Sequence, residues 1–201
     1  MTAPPVEFYF DFSSPYGYIG AELVGDVAAR HGRAVTWRPY LMGALFKKYG
    51  THPLVNDPLK GDYAKRDIQR TAGFLGVPFS VPDPFPVNSI AACRAFYWLA
   101  DDDPAAAQGL ARRIMRNYFR DNRDLSDPAN VLAAAAEEGI DADALASGIK
   151  DDVVKERLRR EVDAALDRGV FGSPVFIVKD EVFWGTDRLD QLDKWLETGG
   201  W

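Results

Sequence analysis

The segment Phe8-Tyr9-Phe10-Asp11-Phe12-Ser13-Ser14-Pro15-Tyr16-Gly17-Tyr18 carries an alternating apolar run into Ser-Pro and then into helical spacing. That order sets the Ser14 hydroxyl at a helix N-terminus. A first helical turn leaves backbone N–H groups unpaired and presents the positive end of the helix dipole, so an anion is stabilised there. Ser14 is therefore a candidate binder of an anion or a thiolate. The same residues also read as a plain N-cap followed by proline at the first helical position, and the local sequence leaves both readings open. Ser13 stands before the cap and reads as structural.

Other residues with nucleophilic or ligating chemistry are few. Cys93 is the only cysteine, so an intramolecular disulfide and a Cys-x-x-Cys pair are both excluded. It lies in Ala91-Ala92-Cys93-Arg94-Ala95-Phe96, a helical pattern in which a free cysteine acts as a small buried apolar residue. His31 and His52 have no metal-ligand spacing, and no structural metal is expected. His31, near a predicted helix end, complements the C-terminal dipole.

The elements that must position Ser14 follow from periodicity. Val6, Phe8, Phe10 and Phe12 alternate with Glu7, Tyr9 and Asp11 as in a strand, and Ile19, Leu23 and Val27 stripe a helix that stops near His31-Gly32. Ala34–Arg38 reads as a second strand, which makes a right-handed β-α-β crossover with parallel strands. From 45 to 168 the pattern turns to Ala- and Arg-rich helices, predicted at Asp62–Leu75, Asn88–Ala100, Pro104–Arg120, Pro128–Glu138 and Asp151–Arg168. Val77–Pro86, with four prolines, predicts an ordered connection without regular structure. Strands return at Pro174–Val178 and Glu181–Trp184, with Lys179-Asp180 between them at hairpin spacing. A last helix follows, striped by Leu189, Leu192, Trp195 and Leu196 and capped by Thr186 or Asp187. The order predicts an α/β chain whose residues 1–44 and 169–201 form one mixed-sheet domain, interrupted by an all-helical insertion at 45–168.

Composition narrows the function. With 201 residues, 47% of them hydrophobic and 27% charged, the chain reads as a soluble globular protein able to bury a substantial core. A formal net charge of -6 gives no broad electrostatic reason to bind nucleic acid. No apolar run approaches a membrane span, and Met1-Thr2-Ala3-Pro4-Pro5 has neither the basic start nor the apolar core of a signal peptide. A cytoplasmic location is expected.

Three motifs in order, residues 8–16, Phe-Gly-Ser-Pro-Val-Phe at 171–176 and Phe-Trp-Gly-Thr-Asp-Arg-Leu at 183–189, carry a resemblance over essentially the whole chain. A weaker match is Lys60-Gly61-Asp62-Tyr63 followed by Arg66-Asp67, Gln69-Arg70 and Gly76-Val77-Pro78-Phe79. The chain resembles the thioredoxin superfamily, and within it the branch of 2-hydroxychromene-2-carboxylate isomerases and kappa-class glutathione transferases. The resemblance implies a thioredoxin-like mixed sheet interrupted by the helical insertion, with glutathione as cofactor and a homodimeric assembly. Ser14-Pro15-Tyr16-Gly17 then stands where disulfide oxidoreductases carry Cys-x-x-Cys, and without cysteine the chain cannot use their disulfide chemistry.

By the same resemblance, Ser14 hydrogen-bonds the glutathione sulfur and favours its thiolate. Pro174 is implied to be cis, with the Val175 backbone pairing to the cysteinyl backbone of glutathione as a short strand addition. Thr186 and the adjoining N–H groups hold the γ-glutamyl carboxylate, and Asp187 pairs with its amino group. Lys60 faces the glycine carboxylate or an anionic substrate, although an isolated lysine is also an ordinary solvated side chain. The family's asparagine before this lysine is replaced near Thr51-His52-Pro53, with Asn56 shifted, so that substrate contact is open. Trp37, Tyr40, Phe46, Tyr49, Phe85, Tyr97 and Trp98 divide between core and substrate pocket. The implied function is a glutathione-dependent cis-trans isomerase of 2-hydroxychromene-2-carboxylate type, acting on a small aromatic anionic substrate. A kappa-like glutathione transferase is the alternative, and a non-catalytic thioredoxin-like binding or chaperone module is a third reading.

Overall fold

The computed structural model describes residues 3–201, so Met1 and Thr2, where the reading of the N-terminus begins, lie outside it. The chain opens with β1 (Val6–Phe10), α1 (Pro15–Arg30) and β2 (Val35–Pro39). Six helices follow: α2 (Met42–Tyr49), α3 (Gly61–Phe74), α4 (Ile90–Leu99), α5 (Pro104–Phe119), α6 (Pro128–Glu137) and α7 (Ala142–Gly148). Then come α8 (Asp152–Asp167), β3 (Val175–Val178), β4 (Glu181–Trp184) and α9 (Leu189–Thr198).

The four strands form one mixed sheet in the order β2-β1-β3-β4. β1 and β2 are parallel, as a helical crossover between consecutive strands requires, while β3 runs antiparallel to both β1 and β4. The first and last parts of the chain thus meet at the β1–β3 ladder, where Phe8 faces Phe176. Their rings stack at 5.4 Å, Phe8 also stacks on Phe10 at 4.7 Å, and Trp37 meets Phe8 edge-on at 5.1 Å. Each such pair adds about 0.5–1.5 kcal/mol beyond its buried area. Because β1 is central, its second face is covered too: Tyr9 is buried, although the alternation groups it with the polar residues.

The predicted helices and strands are present, most with ends displaced by one or two residues. Asp127 caps α6 by accepting from the Ala129 N–H, with Pro128 in the first turn. Lys179 turns the β3–β4 hairpin in the left-handed region at φ 58°. Two helices were not anticipated. α2 covers positions 42–49, so the boundary drawn at 44/45 falls inside it, and α7 occupies residues of the helical block to which no element was assigned. No helix among the described residues is long and apolar enough to cross a membrane.

Candidate active site

Ser14 is the N-cap of α1, with extended backbone at φ −87° and ψ 118°. Its Oγ accepts from the Gly17 N–H at 3.0 Å and donates to the Ser173 carbonyl at 3.1 Å. The capping role and the site role therefore coincide in one hydroxyl. A hydroxyl has one proton and rotates, so an anion arriving beside Ser14 can take that proton in exchange for the Ser173 bond. Ser13 is turned away, as expected: its Oγ donates to the Asp11 carboxylate at 2.9 Å.

Ser173 stands across from Ser14 and is fixed in turn. The Ser173–Pro174 bond is cis, as the resemblance implies, and the Ser173 Oγ accepts from the Asp11 N–H at 3.0 Å. The Gly172 carbonyl is held from behind by the buried Tyr40 hydroxyl at 2.8 Å. No acceptor among the described residues takes the Ser173 N–H. Gly17 permits this approach, since a Cβ there would lie 2.7 Å from the Ser173 Oγ.

Asp11 was read only as the polar half of a strand alternation, yet its carboxylate is buried at the centre of the cluster. Oδ1 accepts from the Ser13 N–H, the Ser13 hydroxyl and the Ser89 hydroxyl, and Oδ2 accepts from the Met42 N–H at 2.8 Å. Burial pushes its carboxyl up, opposed by those four hydrogen bonds. The available signal was a charged residue between Phe10 and Phe12 in an otherwise apolar run. Tyr16, within the Ser-Pro-Tyr-Gly motif, is a second residue that was missed. Its hydroxyl donates to Asp67 at 2.5 Å and ties α3 to the start of α1.

The remaining predicted residues divide. Val175 is fully buried within the ladder, paired with Tyr9 on one side and Trp184 on the other. Pro174 stands at the mouth of β3, with its carbonyl accepting from the Gly185 N–H at 3.0 Å. Thr186 is buried and Asp187 exposed, and neither caps α9; a short 3-10 turn, Thr186–Arg188, precedes it instead, and Arg188 takes the cap position without a side-chain bond. Asp187 pairs with Arg188 at 3.0 Å. Lys60 is exposed at the start of α3 and forms no ion pair among the described residues, and its N–H donates to Asp57 at 2.8 Å.

Of the aromatic set, Trp37, Tyr40 and Tyr97 are core, while Tyr49 is exposed. Phe171 and Trp184, outside that set, meet edge-on at 5.1 Å, each about half exposed beside the cis-proline segment. Cys93 is buried with its thiol pushed up by burial, which agrees with a structural residue. His31 meets Asp193 of α9 at 2.7 Å at the end of α1.

A hydroxyl at a helix N-terminus, facing a cis-proline loop and lacking any cysteine, suits binding of a sulfur anion and not disulfide exchange. The model of the DSBA-like thioredoxin domain matches residues 5–197. The chain belongs to that family. It is 32% identical to a 2-hydroxychromene-2-carboxylate isomerase of Sphingobium xenophagum, covering 95% of this chain and 97% of the relative. It is 27% identical to glutathione S-transferase kappa 1 of Rattus norvegicus, covering 96% and 94%. Among solved structures, a 2-hydroxychromene-2-carboxylate isomerase superposes with a TM-score of 0.85 at 27% identity, covering 96% of this chain and 94% of that one. Within the DSBA-like family, this chain therefore lies in the branch that holds these isomerases and the kappa-class transferases. A cytosolic disulfide reductase of Pseudomonas aeruginosa, with a TM-score of 0.68 at 18% identity, shares the fold.

Proposed function

We propose that this chain is a glutathione-dependent isomerase of 2-hydroxychromene-2-carboxylate type, acting on an aromatic anionic substrate through a thiolate stabilised by Ser14. The observation that carries the reading is the Ser14 hydroxyl at the N-terminus of α1, opposite Ser173, in a chain without cysteine at that place. The isomerase relatives, 29–32% identical over nearly their full length, support this choice of reaction.

The residues present fit glutathione. When bound, it supplies a nucleophilic thiolate that is regenerated at the end of each turnover. Ser14 turns its proton toward the sulfur, and the positive end of the α1 dipole adds to the potential there. The Ser173 N–H, left without an acceptor, takes the backbone-pairing role first given to Val175. Thr186 and Asp187 bind the γ-glutamyl end, and Lys60 the glycine carboxylate or the substrate's own. A homodimer and a cytoplasmic location, serving aromatic catabolism, belong to the same reading, as does the division into a thioredoxin-like domain and an insertion.

The kappa-class relatives favour a second reading in which the same Ser14 site releases a conjugate. Product analysis separates the two. An isomerase leaves glutathione undiminished over many turnovers, and a transferase consumes one per product. Calorimetry that finds no glutathione binding at millimolar concentration removes both and leaves a non-catalytic module.

A further inference from the structure

Asp11 is a buried carboxylate without a cation. No lysine or arginine pairs with it among the described residues, and its partners are two hydroxyls and two backbone N–H groups. The titratable groups around it, Tyr40, Cys93 and Tyr118, are neutral and themselves buried. Burying a charge in this way is costly, and an apolar residue would pack there at less expense. A carboxylate placed at that cost raises the question of a role beyond packing.

Its bonds show one. Met42 is the first residue of α2 and Ser89 is the N-cap of α4, and neither helix start has a side-chain cap of its own. Asp11 reaches both: its Oδ2 accepts from the Met42 N–H at the start of α2, and its Oδ1 accepts from the hydroxyl of Ser89, the N-cap residue of α4. Meanwhile the Asp11 N–H holds the Ser173 Oγ, the Asp11 carbonyl accepts from the Ser14 N–H at 3.0 Å, and its side chain holds Ser13. Both sides of the Ser14–Ser173 pair are thus anchored to one residue, and that residue is anchored to two helix starts.

We propose that Asp11 is a positioning residue for the thiolate site: its carboxylate locks the Ser13–Ser14 turn to α2 and α4 so that the Ser14 hydroxyl meets the sulfur. The proposal rests on the glutathione reading above. Asparagine cannot replace it. With the amide oxygen at Oδ1, the amide N–H groups face the Met42 N–H; with the amide flipped, they face the Ser13 N–H. Either way one backbone donor is left opposite another donor.

The sign of one measurement separates positioning from simple electrostatics. A negative charge near the sulfur disfavours a second one, so if Asp11 acted only as a charge, Asp11→Asn would lower the apparent pKa of bound glutathione. If it acts by holding Ser14, the same change raises that pKa and cuts turnover by about ten- to hundred-fold, the loss a charge-assisted hydrogen bond carries. The loss falls on kcat more than on KM, since the backbone contacts of Ser173 remain.

The test titrates the thiolate absorbance of glutathione bound to wild type, Asp11→Asn, Ser14→Ala and the double variant. The proposal expects a raised pKa in Asp11→Asn and no further rise in the double variant, because the two act through one bond. A lowered pKa, an unchanged pKa, or fully additive effects overturn it. Ser89→Ala, which removes one donor to Asp11 far from the sulfur, serves if Asp11→Asn does not fold: it should raise the pKa in the same direction by less, and no shift overturns the proposal. Wild type that binds no glutathione overturns the reading and the proposal together, whereas wild type with a lowered thiol pKa matched by both variants overturns the proposal alone.

Discussion

The Ser14 hydroxyl donates to the Ser173 carbonyl at 3.1 Å across 159 residues of sequence. This bond joins the helix N-terminus from one end of the chain to the cis-proline segment from the other, and it is the bond that a sulfur anion would displace. Ser14→Ala should retain the fold at a cost of about 0.5–2 kcal/mol for the lost cap. Its glutathione-dependent rate should fall about ten- to hundred-fold, measured as kcat/KM. Ser13→Ala, whose hydroxyl faces Asp11, should be much milder, and equal losses would mean the sulfur contact belongs to neither serine alone.

The thiol of bound glutathione should ionise below the free value of about 8.5. The sign follows from the charged form being the one that gains: Ser14 donates to an anion, and the α1 N-terminus is positive. Burial opposes this, so the titration of thiolate absorbance in wild type should sit below that of Ser14→Ala. Superimposed curves would make Ser14 a helix cap and nothing more.

Gly17→Ala tests the close approach of α1 to the cis-proline loop. A helix interior ordinarily gains about 0.5–1 kcal/mol from this change, but here the new Cβ would lie 2.7 Å from the Ser173 Oγ and 3.1 Å from the Asp11 carbonyl. The variant should be less stable and less active, whereas Gly73→Ala, open to solvent in α3, should be neutral or stabilising. Parallel thermal melts of the two variants provide the comparison.

Acid should loosen the tie between α1 and α3. Hydrogen bonding from Tyr16, then the pairing with Arg70, holds the Asp67 carboxyl below its ordinary 3.8. A depressed folded-state value means the stabilisation is complete above 3.8 and is lost as pH falls through the lower folded value. Asp67→Asn should therefore lower the melting temperature at neutral pH and shrink the further drop between about pH 4 and pH 2. An unchanged acid limb would show that Asp67 contributes nothing to folding.

Lys60 is exposed, so its attraction for a carboxylate is screened by salt. Lys60→Ala should weaken glutathione binding severalfold at low ionic strength and less at high, with kcat largely kept. Calorimetry at two salt concentrations checks this, and a loss independent of salt would point to a contact of another kind.

Much of this was legible in the chain. Strong periodicity and side-chain caps marked most elements, Asp127-Pro128 before α6 among them. α2 escaped because its start is capped by Asp11, 31 residues earlier, and not by a neighbour. α7 is a short helix of seven residues with little apolar striping, and its one local signal, the Asp141 cap, was passed over. Asp11 itself looked like one more polar position of a strand alternation, since its partners Met42 and Ser89 are adjacent only in the fold. The pairing of Val175 on both sides was not legible either, because motif position says which loop meets a ligand and not which strands flank it. Ser14 was found from its own neighbours, and its partner Ser173 was visible only as the residue before the proline.

The β1–β3 ladder also sets the order in which the protein can be born. Phe8 is translated 168 residues before its partner Phe176. At about 5–20 residues per second, the nascent β1 edge waits roughly ten to thirty seconds for its antiparallel neighbour. Throughout that interval β1 has only β2 beside it, and the Phe8–Phe10 stack has no Phe176 to close over it. The vulnerable species is thus an unfinished chain whose aromatic strand is already made, and the site comes into being only once the Ser173–Pro174 segment has followed.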